Sequence, residues 1–162
     1  MPPERELWVQ GLRRGFSMRC RLLGKSMAPR LRPGDCVQIA PGERCRLGDI
    51  VLVDQGDHLV MHRVIARSKG RIITKGDATA HLDPPVAPPE ILGRAVFRSR
   101  GGKETPLDSL WARWTGLACC LALAWLFTLT GAVKGWGRGK IGWPSLFNGA
   151  GPPEVEDGSI SS

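Results

Sequence analysis

At 162 residues the chain has room for one domain plus appendages, and 13 Pro with 21 Gly suit short strands joined by turns rather than a helical bundle. Its 23 Lys and Arg against 15 Asp and Glu give a formal charge of +8, yet aromatic-basic interleaving, a helix-turn-helix pattern and zinc spacing are all missing, which argues against nucleic-acid binding. Five cysteines, an odd number with no C-x-x-C pair, imply no metal, no organic cofactor and no disulfide framework.

Residues 1–15 form an amino-terminal segment in which 4–14 read as a short amphipathic helix with Leu7, Trp8 and Leu12 near one face. The segment is charged rather than apolar, so no cleavable leader is read there. From 16 to 23, Phe16, Met18, Cys20 and Leu22 alternate with Ser17, Arg19, Arg21 and Leu23, the period of a half-buried strand. Gly24 ends it. Pro29 disfavours a helical backbone at Ala28, so the chain around Ser26 is expected to form a constrained corner that exposes the hydroxyl. Further strands are predicted at 36–40, 49–53, 59–66, 71–75 and 91–98, with Gly34-Asp35, Gly48-Asp49, Gly56-Asp57 and Gly76-Asp77 as turn signals. In the run 59–66, Leu59, Met61 and Arg63 fall on one face and Val60, His62 and Val64 on the other. The predicted fold is mainly β, a small coiled β-sheet domain over residues 16–100. Cys20 and Cys36 alternate into it as buried thiols.

Residues 101–114 read as a linker. The 19 residues from 115 to 133 carry no charge, and Trp111, Trp114, Trp136 and Trp143 flank them as interfacial aromatics would. They are read as a transmembrane helix, a carboxy-terminal membrane anchor, with a buried or interfacial helix as the alternative. Residues 134–162, rich in Gly, Pro, Ser and acids after Ser145, are expected to be largely disordered. The basic excess lies in residues 1–114, which hold 20 Lys and Arg against 12 acids, and suits a domain close to anionic lipid. Charge around the run leaves open which face of the membrane the domain occupies.

Three boxes carry chemistry. The first, Gly24-Lys25-Ser26-Met27-Ala28-Pro29-Arg30-Leu31-Arg32-Pro33-Gly34-Asp35, resembles the nucleophile box of type I signal peptidases and the self-cleaving LexA-like repressors. The second, Val60-Met61-His62-Arg63-Val64, stands where most of that family has a lysine base, and its His-Arg-Val form resembles the endoplasmic-reticulum and archaeal branch, in which histidine replaces lysine. The third, Lys75-Gly76-Asp77 with Asp83 six residues on, resembles the box beside that histidine. The resemblance covers roughly residues 16–97.

A serine hydroxyl is a weak nucleophile until a neighbour takes its proton, and an imidazole that takes it is helped by a carboxylate on its other nitrogen. The resemblance therefore implies Ser26 as nucleophile, His62 as base and Asp83 as the group orienting His62, with Asp77 as the alternative orienter or a brace for its loop. Met27 and Pro29 are assigned to substrate contact. Lys25 would project away from Ser26, and Lys75 belongs to a box distinct from the base position. Many signal peptidases carry a hydroxyl residue two positions before the nucleophile; here it is Gly24, so backbone N–H groups are expected to hold the oxyanion. The implied activity is a membrane-associated serine endopeptidase that cleaves extended peptide or protein segments with small residues at the cleavage site. The alternatives are a LexA-like self-processing peptidase and a catalytically silent, membrane-anchored peptide-binding sheet domain.

Overall fold

Short runs of strand-forming residues make up the core of the domain, and tight turns fix how the strands pair. The computed structural model describes residues 3–42 and 44–129. Helix α1 (Pro3–Arg13) is followed by strands β1 (Met18–Arg21), β2 (Cys36–Pro41), β3 (Ile50–Asp54), β4 (Leu59–Ser68), β5 (Arg71–Lys75), β6 (Ile91–Arg100) and β7 (Lys103–Pro106), then helix α2 (Leu110–Leu129). The strands form one sheet in the order β1-β2-β6-β3-β4-β5, with β7 added on β6 and every pairing antiparallel. Two hairpins close through two-residue loops with positive φ at both positions, Lys69-Gly70 and Gly101-Gly102, the geometry that matches strand twist.

Both faces of the sheet are covered. Trp8 and Leu12 of α1, four residues apart, pack with Val37, Ile39, Leu52 and Met61 on one face, while Val51, Val53, Val64, Ile72, Val86 and Ile91 form a second cluster. That is why Ile50, Val51, Leu52 and Val53 are all buried, a continuous apolar run in a central strand. The turns entering β2 and β3 share one build. Asp35 accepts the Arg32 N–H at 2.8 Å and Asp49 the Arg46 N–H at 2.7 Å, each aspartate lying directly before its strand.

The sequence expectations need three corrections. Leu7 points outward, while Trp8 and Leu12 face the sheet. The first strand is confined to Met18–Arg21, since Phe16 is exposed and the Leu22 N–H donates instead to the Asp35 carbonyl. The expected linker at 101–114 contains β7 and the first turn of α2; Lys103-Glu104-Thr105-Pro106 has no apolar alternation and forms a strand by pairing along the edge of β6. The expected membrane span at 115–133 falls only partly within the described residues. Helix α2 starts at Leu110 and docks Ala112, Arg113, Gly116 and Cys120 inward, and among the described residues no helix is long and apolar enough to cross a membrane. Positions 130–133 and the expected tail, 134–162, lie outside the described residues.

Candidate active site

The loop from Leu22 to Asp35 is closed at its base by two backbone hydrogen bonds, Leu22 N–H to Asp35 O at 2.8 Å and Gly34 N–H to Leu22 O at 2.7 Å. Met27 and Leu31 plug it into the first apolar cluster. Met27, expected to touch substrate, is 2 % exposed and anchors the corner from inside. Pro29 lies exposed on the outside of the same corner. Between exposed Lys25 and buried Met27, Ser26 is half-buried, and its carbonyl accepts the Ala78 N–H at 2.8 Å. Its own N–H donates to no backbone carbonyl among the described residues, so that donor stands open.

His62 lies on β4 and is 8 % exposed. Its Nδ1 is 2.5 Å from Asp83 Oδ2. The same oxygen accepts the Thr74 hydroxyl at 2.6 Å, and the Asp83 N–H donates to the Thr74 carbonyl at 2.9 Å. Asp83 is thus tied twice to β5, the strand beside His62, and the Ile72–Val86 bridge pins the loop's return. A carboxylate only accepts, so Nδ1 carries the hydrogen and Nε2 is left as the acceptor.

Gly76 brings the two halves together. A Cβ at this position would lie 2.8 Å from the Ser26 carbonyl oxygen and 3.1 Å from His62 Nε2, so both residues flank one point where only glycine fits. The Ser26 hydroxyl has no hydrogen-bond partner among the described residues; contacts of this kind are often loose until substrate binds.

Asp77 does different work. It meets Arg63 through two parallel hydrogen bonds, Nε to Oδ1 at 2.7 Å and Nη2 to Oδ2 at 2.6 Å, and Arg63 Nη1 donates to the Gly48 carbonyl at 2.6 Å. The pair is almost fully buried, with side-chain exposures of 1 % and 3 %. Of the two aspartates, Asp83 contacts His62 and Asp77 braces the loop through Arg63. Helix α2 seals this brace: a Cβ at Gly116 would sit 2.5–2.7 Å from the Arg63 guanidinium. Lys75, also buried, donates to the Gly76 carbonyl at 3.0 Å and to Cys120 Sγ of α2 at 3.5 Å. Burial, with Asp77 nearby, pushes the Cys120 thiol above its ordinary range.

Arg63, Thr74, Gly76 and Gly116 are absent from the sequence-derived site. A signal for Arg63 existed: a strand position shared with Leu59 and Met61 faces the interior, and a buried guanidinium demands a carboxylate. His58 sits beside Asp57 on the surface, and His81 is exposed. All five cysteines are free, and burial pushes the Cys20 thiol up to about 12. Among the described residues no group of three or more His, Cys, Asp and Glu side chains is arranged to hold a metal ion.

The family model described as Peptidase S24-like matches residues 5–96, which takes in most of α1, the Ser26 corner, the strand bearing His62 and both aspartates. The match covers more than half of the chain, and the chain belongs to that family of serine peptidases. No curated protein matches it. No solved structure does either.

Proposed function

We propose that this member of the Peptidase S24-like family is a serine endopeptidase of the histidine-using, signal-peptidase-like kind, acting on extended peptide segments at a membrane surface. The observation that carries the reading is the His62 ring, held by Asp83 at Nδ1 (2.5 Å) with Nε2 beside Gly76, the residue that also lies against the Ser26 carbonyl. Lysine at this task is disfavoured by placement. Lys25 is exposed, and Lys75 is directed to Gly76 and Cys120 under α2.

In the proposed mechanism Ser26 Oγ adds to the scissile carbonyl while His62 Nε2 takes its proton. The imidazolium so formed faces the Asp83 carboxylate, and the Ser26 N–H donates to the oxyanion. Collapse transfers the proton from His62 to the leaving amine and leaves an acyl-enzyme. Water, deprotonated by His62, then releases the acid and frees Ser26. Strand β1 ends the sheet on the side of the Ser26 corner, which supports binding of an extended substrate by strand addition. A preference for small acyl-side residues rests on the family resemblance alone.

Association with a membrane surface is supported by the outer face of α2. Trp111, Trp114, Leu121, Trp125 and Leu126 are exposed there, opposite the stripe of Ala112, Gly116 and Cys120 that packs inward. Aromatics on one side of a helix suit the bilayer interface rather than a span. Self-processing is the second reading, supported by the same family match. Incubating the purified chain with peptide substrates tests both: cleavage of added peptide that is lost in Ser26→Ala and His62→Ala supports the first, and cleavage confined to the chain itself supports the second. Full activity of folded Ser26→Ala would end both.

A further inference from the structure

We propose that the arginine-lined cavity beside the amino-terminal end of α2 binds the phosphate of an anionic lipid headgroup. The cavity, about 930 Å³, lies away from Ser26 and His62 and is lined, among the described residues, by ten, of which four are Arg44, Arg46, Arg67 and Arg94 and none is acidic. Four guanidinium groups around one concavity repel one another unless an anion joins them, and arginine's planar fork matches phosphate oxygens.

The chain neutralises this cluster only in part. Arg67 donates to the Cys45 carbonyl, which fixes it as one wall. Arg94 reaches Asp49 and Asp108 only at 4.0 and 3.9 Å, and its buried Nε has no hydrogen-bond partner. The side chains of Arg44 and Arg46 are exposed and make no hydrogen bond or ion pair among the described residues. Two held arginines and two whose side chains are unpaired among the described residues line one cavity.

Position identifies the occupant. Asp108, the Arg94 partner, lies two residues before α2, and the Gly48 turn that follows Arg46 packs against Arg113 of α2. The cavity therefore adjoins the end of α2 where Trp111 is 82 % exposed and Trp114 63 % exposed. Indole rings at the acyl boundary with guanidinium groups at phosphate level are the two halves of an interfacial anchor. Among the described residues no aromatic side chain lines the cavity, so they offer no stacking platform for bases.

The inference rests on the membrane-surface reading, and the experiment separates the two. The full chain is sedimented with sucrose-loaded vesicles of phosphatidylcholine alone or with about one third phosphatidylglycerol, at constant salt. Three proteins are compared: wild type, Arg44→Gln/Arg46→Gln and Trp111→Ser/Trp114→Ser. The arginine variant is expected to lose about 30-fold in partition onto the anionic vesicles, each charge near the surface being worth about a factor of five. On neutral vesicles it should match wild type, and the tryptophan variant should lose binding to both. Wild-type partition of the arginine variant onto anionic vesicles would overturn the headgroup site while leaving the membrane reading standing. Failure of wild type to bind either vesicle would overturn both. An NMR titration with inorganic phosphate supplies the remaining arm: saturation of the Arg44 and Arg46 side-chain signals by free phosphate, with vesicle partition unchanged by their loss, would make this a soluble-phosphate site instead.

Discussion

Replacing Asp83 by asparagine removes one charge and almost no volume, so its effect can be worked from the contacts. Asp83 Oδ2 takes both the His62 Nδ1 contact, at 2.5 Å, and the Thr74 hydroxyl, at 2.6 Å. If the new amide turns its oxygen to that spot, the His62 tautomer survives and only the attraction to the imidazolium is lost. Two unit charges about 4 Å apart at an effective dielectric constant of about 20 interact by ~4 kcal/mol. At about 1.4 kcal/mol per decade that is roughly a 10³-fold loss of rate. If the amide turns its NH2 group there instead, the imidazole is held in the wrong tautomer, a change that costs about 10⁴ in Ser-His-Asp enzymes. Asp83→Asn is therefore expected to lower kcat by about 10³ to 10⁴ with KM almost unchanged. Asp77→Asn should do the reverse. It leaves Arg63 buried with its charge uncompensated, a loss of about 3–5 kcal/mol in stability, while the folded fraction keeps most of its kcat. Steady-state peptide cleavage and thermal unfolding of both variants decide the matter. A large kcat loss in Asp77→Asn at unchanged Tm, with normal kcat in Asp83→Asn, would refute the reasoning.

Gly76→Ala inserts a methyl group 2.8 Å from the Ser26 carbonyl and 3.1 Å from His62 Nε2, and is expected to cut kcat by about 10²-fold or more in a protein whose far-ultraviolet spectrum is unchanged. Gly116→Leu forces α2 off the Arg63 guanidinium and should destabilise the protein by about 1–3 kcal/mol, read from urea unfolding, with new proteolytic cleavage in α2. The Asp35 carboxyl is pushed up by burial, but hydrogen bonds from Arg100 and the Arg32 N–H, with the charges of Arg100 and Arg98, outweigh this and hold it below the ordinary 3.8. A depressed folded-state value stabilises above pH 3.8 and is lost as pH falls through it, so the Tm gap between wild type and Asp35→Asn should be full at neutral pH and close in acid.

What could be read in advance was whatever depends on near neighbours in sequence. Runs of strand-forming residues bounded by Gly, Pro or Asp located six strands, and Gly24 with Pro29 located the Ser26 corner, because both signals are local. Asp83 could be ranked over Asp77 only through resemblance, and the reason for the ranking is tertiary: Asp77 is already committed to Arg63, on the opposite face of β4 from His62. Met27 looked like a substrate contact because it adjoins Ser26, yet loop closure by Leu22 and Gly34 turns it into the core. The described part of the run at 115–133 shows a similar limit. Apolarity alone does not distinguish a lipid-facing side chain from one that packs on protein, and the small residues Ala112, Gly116 and Cys120 mark a face shaped to sit on Arg63 and Lys75. Strand β7 has no apolar alternation to announce it, and forms because β6 offers an edge.

The central claim is that His62, not a lysine, activates Ser26. Labelling with a serine-directed fluorophosphonate tests it most directly, since the reagent needs an activated hydroxyl and no knowledge of the natural substrate. Intact-mass analysis and peptide mapping should show one adduct per chain, on Ser26. It should disappear in His62→Ala and persist in Lys75→Met, whose lost ammonium contacts only Gly76 and Cys120. An adduct on another residue, or one that survives His62→Ala and vanishes in folded Lys75→Met, would contradict the account.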